Sequence, residues 1–332
     1  MRIVLDAMGS DTYPDPEIDA SLEAARKLGD EIILVGNQEL LKPKLDIRGG
    51  SEKIKLVHAP EVLEMSDKPA RSARGKALNS MAVGMDLIKS GEGDAFVTAG
   101  NTGGAMANGL FRLGRIRGVK RPALTGVFPV QNSQCVVLDI GANADCKPEY
   151  LVQFGLMGSL YAEKIRNVKQ PRVGLMSNGE EEGKGNELVK AAYVLLKESG
   201  LNFIGNVESK EIFGGGVDVV VTDGFTGNVF LKTSEAVAKF MVTILKENLT
   251  SGIRTTLGAA LAKPAFDNLR KIMDPGEIGA IPLLGIDGLV FVAHGRSDAH
   301  AMFNSIQAAK QAVAADLLEA VRTGIQQQKK ST

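Results

Sequence analysis

An α/β fold with a mostly parallel sheet, flanked by helices on both faces, follows from three features of the chain. Short apolar runs recur along its whole length, segments of helical periodicity separate them, and many runs stop in aspartate, asparagine, histidine or glycine. Strands alternating with helices in this way call for right-handed crossovers between parallel neighbours.

Ile3 to Leu5 reads as a strand ending on Asp6, and a helix runs from about Pro16 to Leu28. Strands are then expected at 31–35, closing on Gly36, and at 54–57, before Ala59-Pro60. The beat continues at 95–98, 124–128, 136–138, 173–176, 203–204, 217–221 and 289–293. After Asn186, Leu188, Ala191, Ala192, Leu195 and Leu196 mark one face of a helix. A longer helix comes after Asn228, and Val237, Phe240, Met241, Ile244 and Leu245 are expected to form its buried face. Residues 1–332 read as one α/β catalytic unit or two interlocked subdomains, with a protruding amphipathic helical hairpin at 250–275.

A chain of 332 residues with 38 glycines and 44% hydrophobic content can bury a large core. Its 39 basic residues balance 39 acidic ones, so no global field draws it to nucleic acid or an anionic surface. Two cysteines and no signal peptide fit a reducing cytoplasm. The apolar runs fall short of the ~18 residues a membrane span needs. With only three histidines, a histidine-rich metal site is not expected.

The residues at the strand ends carry the chemistry. Asp6, Gly100-Asn101-Thr102-Gly103, Asp139 with Gly141 and Asn143, Asn178, Asn206, Asp223-Gly224 and His294-Gly295 occupy equivalent places. Glycine lets backbone approach a ligand, and Asn and Thr supply neutral donors and acceptors. Such loops line the crevice at the carboxyl ends of a parallel sheet. The loop Gly179-Glu-Glu-Glu-Gly183-Lys184-Gly185 imitates a P-loop, but only three residues separate Gly179 from Gly183 and a glycine comes after the lysine. A nucleoside triphosphate site is therefore not expected. Arg71, Arg74 and Lys76 suit an anion, and the helix opening near Pro148 could turn its N–H groups to a phosphate.

Six stretches taken together resemble the PlsX family of phosphate acyltransferases: D-A-M-G at the start, A-G-N-T-G at 99–103, D-I-G-A-N-A-D-C-K-P-E at 139–149, N-G-E-E-E-G-K-G-N-E at 178–187, D-G-F-T-G-N at 223–228 and P-L-L-G at 282–285. They occur in order and span nearly the whole chain. The family commonly continues M-G-G-D-H-A-P after its first strand, whereas Ser10 and Thr12 stand here, so no histidine serves near the amino terminus. The resemblance implies a fold similar to phosphotransacetylase and the isocitrate dehydrogenase group. It also implies transfer of a fatty acyl group from acyl carrier protein to inorganic phosphate, a homodimer and a peripheral membrane protein. The acyl phosphate product would pass to a membrane-bound glycerol-3-phosphate acyltransferase.

The chemistry is undemanding in proton transfer. Phosphate, with a second pKa of about 6, is largely dianionic at neutral pH. A thiol of pKa ~8.5 leaves readily as thiolate. Positioning and preorganised donors then carry the reaction, with no cofactor and no metal. Lys184 is expected to supply positive charge, Asn101, Thr102, Asn143 and Asn228 to donate hydrogen bonds, and His294 to protonate the thiolate. Gly103, Lys147, Asn178, Gly183, Asn186, Asp223 and Thr226 complete the expected phosphate and substrate contacts, with Glu180, Glu181 and Glu182 orienting Lys184, Lys147 or helix amides. Arg112, Arg115, Arg117, Lys120 and Arg121 form a basic run suited to an acidic carrier protein. In the hairpin, Leu257, Leu261 and Phe266 lie on the apolar side, and Arg254, Lys263, Arg270 and Lys271 outnumber Asp267 and Asp274, which suits either interfacial binding at a membrane's inner face or an apolar face packed into a dimer interface. The rival reading is a metal- and NAD-dependent decarboxylating dehydrogenase of similar fold. It needs aspartates along a helix and an adenine loop, neither of which is recognisable, and no G-x-G-x-x-G occurs. A non-enzymatic scaffold docking carrier protein would not need so many polar strand ends.

Overall fold

The computed structural model describes residues 1–331, without the side chains of Arg270, Lys330 and Ser331. Eleven strands form one sheet: β1 (Arg2–Asp6), β2 (Glu31–Gly36), β3 (Ile54–His58), β4 (Ala95–Thr98), β5 (Ala123–Val130), β6 (Ser133–Leu138), β7 (Val173–Met176), β8 (Phe203–Val207), β9 (Val219–Val221), β10 (Ile281–Leu284) and β11 (Val290–Val292). Their spatial order is β3-β2-β1-β4-β11-β10-β5-β6-β9-β7-β8. The first five are mutually parallel, as are the last four. Between the two blocks every step is antiparallel: β11 to β10, β10 to β5, and β5 to β6.

Side-chain alternation explains why the strands read as unbroken apolar runs. Ile3 and Leu5 of β1 enter one core with Ile32, Leu34 and Val97, whereas Val4 enters another with Ile33, Val35 and Phe96. Successive residues point to opposite faces and helices cover both, so central strands such as β4 and β9 are buried along their whole length, while the edge strands β3 and β8 keep exposed positions. Both cores also take residues from the second block, for instance Leu138 and Val219 in one and Val137 and Val220 in the other.

Ten strands lie where the apolar runs predict them. The eleventh, β10, falls in the I-P-L-L stretch, too short and uniform to show a strand period, yet it makes two of the three antiparallel steps that join the blocks. The long helix Gly224–Leu249 departs from expectation. Val237, Phe240 and Met241 are 54%, 61% and 57% exposed, and Ile244 and Leu245 are exposed as well. The amphipathic period was legible, but nothing among the described residues covers the helix's outer apolar face. None of the helices among the described residues is long and apolar enough to cross a membrane.

Glu17, in the helix Asp15–Lys27, is fully buried and accepts a hydrogen bond from the Ser10 backbone N–H at 3.1 Å. Burial raises its pKa from 4.5 to about 7. Between those values the folded chain binds more protons than the unfolded one, so stability falls as pH rises through that window. The difference is worth roughly 3 kcal/mol at most. The melting temperature should therefore drop between about pH 5 and pH 8, and Glu17→Gln should flatten the slope; a variant with the parent's profile would show that Glu17 is not its source.

Candidate active site

Asp139 stands at the end of β6 with no exposed surface. Its carboxyl accepts from the backbone N–H of Leu124 (3.0 Å), Gly141 (3.2 Å), Ala142 (3.0 Å) and Asn143 (2.6 Å), and from Asn143 Nδ2 (2.9 Å). Burial pushes its pKa up, and these donors pull it back. The loop after β6 is thereby wrapped around one side chain. Against it comes the start of the Gly224–Leu249 helix: Gly224 N–H donates to the Asn143 carbonyl at 2.8 Å, and Asn228 Nδ2 to the Ile140 carbonyl at 3.1 Å. A Cβ on Gly227 would overlap the Asp139 carbonyl oxygen, and one on Gly224 would lie 2.6 Å from the Asn143 carbonyl oxygen. Only glycine allows the helix to begin this close.

A second linkage forms on the other block. Asp6, buried at the end of β1, accepts from Thr98 Oγ1 at 2.7 Å, and Thr98 Oγ1 accepts from Gly100 N–H at 2.9 Å. Asp11 N–H donates to the Gly295 carbonyl at 2.7 Å. The loops after β1, β4 and β11 are thus held side by side.

Between the two sets lies a cleft of about 1110 Å³. Polar groups gather at Asp11, Thr102, Gly141, Asn228, Lys232 and His294, and apolar walls come from β5, the long helix and the segment 272–281. Its volume exceeds the roughly 300–1,000 Å³ usual for small-molecule sites. The helix beginning at Thr102 turns its first N–H groups toward this region, a favourable end for an anion. Burial, with the cations Arg296 and Lys232, lowers the His294 pKa. That shift favours the neutral imidazole.

Of the residues expected from sequence, Thr102, Asn228 and His294 line the cleft. Several others are engaged in building it. Asn101 caps the helix at Gly104 N–H and donates to the Met65 carbonyl at 2.9 Å, while Gly103 packs against Pro69. Asn143 spends its amide on Asp139 and the Pro122 carbonyl. Asp223 caps Thr226 through both N–H and Oγ1, and Asn186 caps Val189. Lys147 is exposed at the start of the helix Pro148–Arg166.

The loop containing Lys184 sits further out. It comes after β7, which neighbours β9, so it flanks the loop bearing Asp223 and Asn228 without lining the cleft. Asn178 Oδ1 accepts from Gly185 N–H, and Gly183 and Lys184 are exposed. Of the three glutamates, Glu180 pairs with Lys210 at 2.8 Å and Glu182 with Lys197 at 3.5 Å, while the Glu181 carbonyl accepts from Asn206 Nδ2 at 2.8 Å and from the Lys184 backbone N–H at 3.0 Å. Glu208 and Glu211 also face Lys210, whose pKa the carboxylates raise. Consecutive residues in a turn diverge, and tertiary neighbours claimed each one. The basic run is likewise partly neutralised from outside, Arg112 by Asp86 at 2.9 Å and Lys120 by Glu149 at 3.6 Å, with Arg115 donating to the Lys120 carbonyl. Arg115, Arg117 and Arg121 remain exposed.

Sequence reading overlooked Asp11, Lys232 and the aromatic wall. Lys232 was within reach, since it lies one helical turn beyond Asn228 and so shares its face. The wall was not, because Phe128, Phe213 and Phe230 come from three separate elements.

A parallel-rich α/β sheet with a cleft between its two blocks gives the chain a phosphotransacetylase-like fold. The Streptococcus pyogenes phosphotransacetylase superposes with a TM-score of 0.60 at 17% identity, covering 94% of each chain. The 4-hydroxythreonine-4-phosphate dehydrogenase of Klebsiella pneumoniae superposes at 0.57 with 14% identity over 94% of this chain and 98% of its own, so the fold alone does not separate the two chemistries. Sequence does. Residues 1–320 match the family described as "Fatty acid synthesis protein", and the chain belongs to it. It is 46% identical to the phosphate acyltransferase of Pelotomaculum thermopropionicum over 98% of this chain and 95% of the relative, and 45% identical to that of Elusimicrobium minutum over 99% and 97%.

The contact at Gly227 is testable. Gly227→Ala should destabilise the fold by about 1–3 kcal/mol, read by thermal melting, and should lower turnover by displacing Asn228. Unchanged stability and rate would mean that the helix start has room to spare.

Proposed function

We propose that this chain transfers a long-chain fatty acyl group from acyl carrier protein to inorganic phosphate, giving acyl phosphate for phosphatidic acid synthesis. One observation carries the reading: a single cleft joins the donors Thr102, Asn228 and His294, the cation Lys232 and a helix start, suited to a dianion, to apolar walls suited to a chain. Thr102 and Asn228 hold phosphate and the developing oxyanion. Lys184, on the next loop of the same sheet edge, contributes positive charge, and Asn101, Asn143, Asp223 and Thr226 keep the donors in place. A neutral His294 donates a hydrogen bond through its ring N–H, and the thiolate leaves without needing a strong acid. No cofactor is required by these steps.

Exposed Arg115, Arg117 and Arg121 receive the acidic carrier protein. The uncovered face of the long helix pairs with a second copy of the chain as a homodimer. In the hairpin helices Ile253–Leu261 and Lys263–Met273, Leu257 and Leu261 are 63% and 87% exposed, and Phe266 is half-buried. They rest on the inner face of the cytoplasmic membrane, where a glycerol-3-phosphate acyltransferase accepts the poorly soluble product.

Thiol release from acyl carrier protein substrate should require inorganic phosphate, hydroxylamine should trap the acyl phosphate, and chelator should leave the rate unchanged. Lys184→Ala should lower turnover roughly 10²-fold with the melting temperature retained. Activity lost in chelator and restored by magnesium would instead favour dehydrogenase-like chemistry.

Membrane contact is separable from folding. Leu257→Glu with Leu261→Glu should abolish sedimentation with anionic vesicles while the dimer and the soluble assay persist. Dissociation or misfolding would place this face inside the protein's own assembly.

A further inference from the structure

Phe128 of β5, Phe230 of the long helix and Phe213 of the short helix Ser209–Phe213 meet in the apolar wall of the cleft. The ring centroids of Phe128 and Phe230 are 5.0 Å apart, and those of Phe213 and Phe230 are 5.6 Å apart. One end of this cluster lies beside the polar mouth. The Phe128 ring leans over Gly126, where a Cβ would meet Phe128 Cε2 at 2.9 Å and Ile140 Cδ1 at 3.1 Å, and Ile140 precedes the cleft-lining Gly141. The other end reaches the rim: Phe213 is 41% exposed, and its carbonyl accepts from Gln131 N–H just past the end of β5. The rings therefore mark out a path from the reacting groups to the protein surface along β5.

We propose that this aromatic cluster is the acyl-chain ruler of the enzyme, with Phe230 at its centre as the specificity-determining residue. The proposal rests on the acyl-to-phosphate reading of the same cleft. A chain attached at the mouth runs past the Phe128 ring, which with Ile140 covers Gly126, and its terminal methylenes meet Phe230 and Phe213. Aromatic side chains suit the task because they are large and turn about only two bonds, so they present a fixed surface. The packing contacts hold them further. Phe230 is gripped between a ring from the sheet and a ring from another helix, which resists its swinging aside for a longer chain. Length discrimination then arises from close packing, since a site that is already filled accepts extra methylenes only at the cost of displacing its walls.

The test measures kcat/KM for a series of acyl carrier protein thioesters of about ten to eighteen carbons, with phosphate saturating. Phe230→Ala should move the optimum to longer chains by about two carbons or more and change the long-to-short ratio roughly tenfold, the scale of one or two methylenes in a pocket. Phe230→Trp should move it the opposite way. The KM for phosphate should stay at the parent value in both, because the rings touch the chain and not the anion. Phe213→Ala, at the exposed rim, provides a variant that leaves the core intact and should shift the optimum in the same direction as Phe230→Ala. If phosphate-dependent release persists in all three variants with the parent's chain profile, the ruler is overturned and the acyltransferase reading stands. If the parent protein releases no thiol in response to phosphate at any chain length, that reading fails and the ruler with it.

Discussion

A carboxyl group taken wholly out of water must find its hydrogen bonds inside the protein, and at Asp139 that requirement organises the site. Five N–H donors close on it, four of them backbone groups from β5 and the loop after β6. An unpaired buried carboxyl costs far more than any of these contacts returns singly, so the loop has little freedom to adopt another shape. The rigidity passes outward. Because the loop is fixed, the helix carrying Asn228 and Lys232 can begin against it at van der Waals limits, and its glycines serve that approach.

The direction of the sheet changes where the cleft forms. Two parallel blocks would each offer polar loops at their own carboxyl ends, and separately neither would enclose a substrate. The antiparallel steps through β10 and β5 join them, so that loops from β1, β4 and β11 face those from β6 and β9 across one cavity. β5, the longest strand at eight residues, forms the shared wall. The chemistry proposed for this enzyme brings an anion and a greasy chain to one carbon atom. A cleft between two blocks can be polar at one end and apolar along the other without burying an unpaired charge.

Most of the strands were legible because parallel strands buried on both faces are written as plain apolar runs, and a run of Val, Ile and Leu bounded by glycine has few other uses. The site was legible in type more than in detail. Asn101, Asn143, Asp223 and Asn186 stand out in the sequence as polar strand-end residues, and in the structure each is occupied as a helix cap or loop clamp. Composition cannot separate a side chain that binds substrate from one that builds the frame, since both tasks ask for short polar groups at strand ends. The Glu180 to Glu182 run shows the same limit from the other side: its partners Lys210 and Lys197 are remote in sequence, and only the packing of β7 beside β8 brings Lys210 within reach.

By itself, then, the sequence determined the α/β class, the positions of ten of eleven strands, the absence of a net field and, through its ordered motifs, the family. All of these depend on local pattern, on spacing within a single element or on motif order, which a linear text records. Tertiary structure alone decided which polar ends face one cavity, that Phe128, Phe213 and Phe230 form one wall, that three antiparallel steps through β10 and β5 turn the sheet around, and that the apolar stripe of the long helix is left uncovered among the described residues. Those outcomes depend on the relative placement of elements far apart in the chain. A stripe of Val, Phe and Met at helical spacing reads the same whether a sheet, a partner or solvent stands opposite, because hydrophobic burial is non-directional and names no partner.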